Sequence, residues 1–120
     1  MTARARRAAR DLVAALVVLL CTVFVLWHAA RYSAPTALLA CVLGVTPWVA
    51  IGPSLWRGNR QRHAAAALLT VPYLGYGLME LLANPGAHGY AASLVLLAVA
   101  LFAALTAFLR VSRPPAAAPT

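Results

Sequence analysis

Four apolar runs, each about 20 residues long, limit what this chain can fold into more than any other feature. They are "LVAALVVLLCTVFVLWHAA" (about 12–30), "TALLACVLGVTPWVAIGPSLW" (about 36–56), "AAAALLTVPYLGYGLMELLA" (about 64–83) and "YAASLVLLAVALFAALTAFL" (about 90–109). A helix of roughly 20 residues crosses a hydrocarbon layer about 30 Å thick. Inside that layer the backbone must satisfy its own polar groups, so runs of this length predict helices. The expected fold is all-α, an integral membrane four-helix bundle. Composition agrees, because 63% of the 120 residues are hydrophobic and only 10% are charged. A soluble domain carries about a quarter charged residues, and too little polar surface remains here to face water. The connections "RYSAP", "RGNRQRH" and "NPGAHG" are short, as between antiparallel neighbours. The chain thus divides into a basic tail (1–11), a transmembrane domain (12–110) and a Pro/Ala-rich tail (111–120).

Charge sets the threading. All ten cations are arginines, against only Asp11 and Glu80. They lie at the edges of the apolar runs or in the tails and form no patch on a polar domain, which argues against a nucleic-acid partner. Arg4, Arg6, Arg7 and Arg10 precede the first run, Arg57, Arg60 and Arg62 sit between the second and third, and Arg110 and Arg113 follow the fourth. With both termini in the cytoplasm, all nine are inside and only Arg31 is outside, as the positive-inside rule requires. The first run is too long for the apolar region of a signal peptide, and no clean A-x-A site follows it. A retained first helix is therefore expected. Trp27, Tyr32 and Tyr90 are expected at the outer membrane interface and Trp56 at the inner one.

The second run holds Pro47 and Pro53. Pro47 cannot donate to the Leu43 carbonyl, and a kink is expected there. A packing kink is one reading, and a hinge or ligand-facing carbonyl is the other. In the third run Thr70, Tyr73, Gly77, Glu80 and Asn84 recur at spacings of 3, 4, 3 and 4, one stripe of a helix. Polar side chains in lipid face the bundle interior, so this stripe is expected to look inward. Pro72 is expected to help turn Tyr73 towards a neighbour. Glu80 lies about one turn from the outer boundary, on the side where Arg31 leaves the first run. An outer cluster of His28, Arg31, Glu80 and His88 follows. Its simpler form is a Glu80–Arg31 ion pair clamping helices one and three; its sharper form is a proton-coupled or ligand-binding carboxylate.

Cys21 and Cys41 lie within apolar runs without metal-ligand spacing, and are expected to behave as small hydrophobes. Ser33, Ser54, Ser93 and Ser112 have no acid–base partners nearby in sequence, and no metal cluster or phosphate loop is visible. No catalysis and no cofactor are expected.

Several of these stretches together resemble a known family. They are the Pro-containing "TPWVAIGP", the loop "RGNRQRHA", the third-span "PYLGYGLME" and the closing "LVLLAVALFAALTAFLR". Over about 12–113 the chain resembles the small bacterial inner-membrane family called domain of unknown function 2069. Pro47, Pro53, Arg60, His63, Tyr73, Gly77 and Arg110 are the positions that carry the resemblance. The resemblance implies a four-span protein of the inner membrane and no particular activity.

The leading expectation is a non-enzymatic structural or accessory subunit. Its cytoplasmic basic loop (Arg57, Arg60, Arg62, His63) would meet anionic lipid headgroups. Its protein contact would be a membrane-protein partner or a second copy of the chain. The alternative is a small proton-coupled transporter using Glu80. Glu80→Gln separates them: a clamp loses stability, and a transporter loses flux with its fold intact.

Overall fold

The computed structural model describes residues 3–58 and 60–111. Four helices account for nearly all of them: α1 (Ala3–Arg31), α2 (Ala34–Trp56), α3 (Arg60–Ala83) and α4 (His88–Val111), with one 3-10 turn (Pro85–Ala87) between α3 and α4. All four are long and apolar enough to cross a membrane, and there is no strand among the described residues. Arg113 and the tail from 112 lie outside the described residues.

Helix α4 shows most plainly why the bundle forms. Ala91, Leu94, Ala98, Leu101, Leu105 and Phe108 are buried, at spacings of 3, 4, 3, 4 and 3, a seam on one face. Its two sides pack against α1 and α3, and α1 packs against α2 on its other side. Going round the bundle the order is therefore α2, α1, α4, α3. The ring is open between α2 and α3, which touch only sparsely. Small residues line the contacts. A Cβ at Gly77 would lie 2.8 Å from Val95 Cγ2 on α4, and one at Gly44 would run into the Phe24 ring on α1. Without a hydrophobic drive in lipid, such close approach is what holds helices together. Outward leucines such as Leu38, Leu68, Leu82 and Leu96 are more than 60% exposed, which suits hydrocarbon and not water.

The helices begin and end differently from the apolar runs. Helix α1 starts at Ala3, so Arg6, Arg7 and Arg10, expected in a tail, stand on its first turns. Arg60, Arg62 and His63, expected in a loop, form the first turn of α3. Only Arg57, Gly58 and Asn59 connect α2 to α3, because Gly58 takes φ +78°. Its N–H bonds the Leu55 carbonyl at 3.0 Å, a tight helix end that glycine adopts without a Cβ penalty. His63 is fully buried and stacks on Phe108, with ring centroids 3.7 Å apart. Helices α2 and α3 stay helical through Pro47, Pro53 and Pro72.

Candidate functional site

The open edge between α2 and α3 is a cleft of about 440 Å³. Two stripes wall it. Ala40, Leu43, Gly44 and Pro47 come from α2, and Leu69, Pro72, Tyr73 and Tyr76 from α3. Each stripe runs i, i+3, i+4, i+7, the face a helix shows a neighbour. Phe24 and His28 of α1 form the floor. The polar atoms are few and most are engaged. The Tyr73 hydroxyl donates to the Gly44 carbonyl, next to the carbonyl of Leu43 that Pro47 leaves without its helical donor. The Tyr73 ring meets Phe24 edge-on at 5.9 Å and Trp48 at 5.8 Å.

His28 is 3% exposed and its hydrogen bonds fix its tautomer. Nδ1 lies 2.8 Å from the Phe24 carbonyl, which can only accept, so Nδ1 carries the proton. In the neutral ring Nε2 is then an acceptor, and the Tyr76 hydroxyl donates to it at 2.9 Å. Tyr76 keeps its oxygen lone pairs as an acceptor. Rings of Phe24, Tyr32 and Tyr76 stack on His28, while Trp27 packs against Tyr76 at 5.3 Å and parallel to Tyr90 at 6.4 Å.

These positions revise the expected outer cluster. Among the described residues Glu80 and Arg31 form no ion pair; the pair that does form is Arg10–Asp11 at 3.6 Å, near the other end of α1. Glu80 Oε2 accepts from Asn84 Nδ2 at 3.1 Å. The Arg31 guanidinium lies across Gly86, 2.5 Å from where a Cβ would stand. His88 is exposed at the start of α4, and His28 turns inward. The reason is the order of the ring: α4 stands between α1 and α3, so these two are diagonal, and among the described residues long aromatic side chains bridge them. The His28–Tyr76 hydrogen bond makes that link in place of an Arg–Glu ion pair, and buried charge is costly in lipid. Trp27, expected at the interface, is fully buried, because it shares the inner face of α1 with Leu20, Phe24 and His28. Trp56 is half exposed, with the Arg10 guanidinium 4.6 Å over its ring.

Within the expected inward stripe Thr70, Tyr73 and Gly77 are buried and Glu80 is half-buried. Only Tyr73 of that set reaches the cleft. Phe24, Gly44 and Tyr76 are the site residues that sequence reasoning missed or left aside. In α1 and α2 nearly every position is apolar, so no polarity contrast marks the inner face. Cys21 and Cys41 are free thiols. Among the described residues no three His, Cys, Asp or Glu side chains gather as a metal site would need.

Helices of this length and apolarity, with leucines facing outward, define a multi-pass membrane protein. Residues 9–113 match the model of the family described as "Predicted membrane protein (DUF2069)", and the chain belongs to that family. Comparison with curated proteins and with solved structures finds no match.

Proposed function

We propose that this protein is a non-catalytic accessory subunit of the bacterial inner membrane, with both termini in the cytoplasm, whose α2–α3 cleft seats a transmembrane helix of another membrane protein. The observation that carries this reading is the pair of matched i, i+3, i+4, i+7 stripes facing each other across an apolar gap. Helix-in-groove recognition uses such a surface. Helix α2 supports it further, since the share of its span buried inside the chain, 17%, is below that of each other helix. Small residues at Ala40 and Gly44 let a backbone come close. Orientation rests on the arginine asymmetry.

Transport through Glu80 has less support. Its carboxylate does not line the cleft and is hydrogen-bonded by Asn84.

Photo-cross-linking in native membranes tests the reading. A photoreactive residue at Leu43 or at Leu69, on opposite walls, is expected to give an adduct with one and the same protein. The lipid-facing positions Leu38 and Leu96 are expected to give none. Adducts with lipid alone at all four positions would contradict the proposal. An adduct of twice the chain's own mass would mean that copies fill each other's clefts, and would overturn the accessory role.

A further inference from the structure

At the Arg57 end of the bundle, a hollow of about 290 Å³ is lined by Arg6, Arg7, Arg10, Arg57, Arg60 and Phe108, among others. Five arginines thus line it. One carboxylate is near, Asp11, and it is bound to Arg10. The chain's other acid, Glu80, stands twenty residues along α3 from Arg60, roughly 30 Å away. Five arginines against one aspartate leave a formal excess of four positive charges.

Two of the five are fixed by the walls. Arg10 stacks over Trp56, and Arg60 Nη2 donates to the Leu109 carbonyl at 3.1 Å, closing the end of α4. Phe108, held by its stack on His63, forms the base. Among the described residues the side chains of Arg6, Arg7 and Arg57 have no hydrogen bond or ion pair. The arrangement is therefore a rigid rim with three uncommitted forks, a geometry that suits phosphate oxygens.

A second, apolar hollow of about 150 Å³ shares Arg10 with the first as a lining residue. It runs along α1 and α2 past Ala14, Val17, Val18, Gly52, Leu55 and Trp56, away from the charged end and into the apolar span. We infer that the two hollows together form a binding site for an anionic phospholipid, with phosphate among Arg6, Arg7 and Arg57 and an acyl chain against Val17, Val18 and Leu55. The charge excess exceeds what one phosphate neutralises, so a two-phosphate cardiolipin head fits better than a single-phosphate one. Basic pockets between transmembrane helices bind such heads, and the apolar annex gives a lipid an advantage that free phosphate lacks. The site is independent of the α2–α3 cleft.

Native mass spectrometry of the delipidated full chain in detergent tests this, with cardiolipin, phosphatidylglycerol, phosphatidylethanolamine and pyrophosphate as probes. One cardiolipin is expected to be retained, ahead of phosphatidylglycerol, with neither phosphatidylethanolamine nor pyrophosphate displacing it. The triple variant Arg6→Gln, Arg7→Gln, Arg57→Gln is expected to weaken retention roughly a hundredfold. The charge-matched triple Arg4→Gln, Arg31→Gln, Arg110→Gln lies outside the hollow and is expected to retain the lipid. If the first triple fails to fold, the single Arg57→Gln, in the turn between helices, is expected to weaken retention about fivefold. Equal losses in both triples would reduce the site to diffuse charge and overturn the proposal. Displacement by pyrophosphate as effective as by cardiolipin would assign the hollow to soluble phosphates instead.

Discussion

In lipid the Tyr73 hydroxyl has no water to turn to, and it donates to the Gly44 carbonyl across the cleft. That bond links α3 to α2 where the two helices otherwise barely meet. Tyr73→Phe keeps the ring against Phe24 and Trp48 and removes only the hydroxyl. The expected loss is about 0.6 kcal/mol and at most ~1.7 kcal/mol, the range for hydrogen bonds between membrane helices. Reversible unfolding in mixed detergent micelles measures it. A loss several times larger would mean that the hydroxyl also orders the cleft walls. Tyr73 was legible in the sequence as part of a polar stripe, because polar residues stand out in an apolar helix. Its partner was not: a backbone carbonyl carries no sequence signal, and Pro47 pointed one residue away, to Leu43. Glu80 shows the converse. A lone carboxylate invites pairing with the nearest arginine, yet an asparagine just past the end of its own helix satisfies it locally, and Arg31 is drawn to the α3–α4 connection.

Among the helices, α3 against α4 is the most extensive seam, and Gly77 lies in it. Val95 Cγ2 occupies the space that a side chain at Gly77 would need, and the β-branched valine has little freedom to move aside. Gly77→Leu is expected to destabilise the bundle by about 1–3 kcal/mol through overpacking. The additional change Val95→Ala is expected to recover part of that loss, as the same unfolding assay would show. A neutral Gly77→Leu would mean that the seam is looser than described. The existence and number of the helices were plain from the apolar runs alone. Their ends were less so, because hydropathy marks where lipid begins and not where hydrogen bonding stops. Helix α1 therefore runs back through its arginines, and α3 starts at Arg60. The inner faces of α1 and α2 were hidden for another reason. A helix surrounded by lipid is apolar on every side, so periodicity distinguishes faces only where small or polar residues interrupt it.

Over the whole molecule, the distribution of charge and the open ring describe the same object. Except for Arg31, the described arginines of α1, α3, α4 and the α2–α3 turn gather at one end, and five of them line one hollow. The aromatic cluster around His28 stands towards the opposite end of α1, and the cleft opens sideways between α2 and α3. Sequence order alone could not show that α2 and α3, neighbours in the chain joined by a short turn, would be the pair that does not close. That follows from α4, whose small and large residues fit between α1 and α3 and leave α2 with one closely packed neighbour, α1. Both the proposed partner seat and the proposed lipid site take their membrane depth from the threading, so the threading is the claim to test first. The direct measurement is cysteine labelling in intact cells with a membrane-impermeant maleimide, in a chain carrying Cys21→Ala and Cys41→Ala. Gln61→Cys reports the first turn of α3 and His88→Cys the start of α4, at the opposite end of the bundle. Labelling at position 88 with protection at 61 until the membrane is opened is the expected result; labelling at 61 in intact cells would contradict the account.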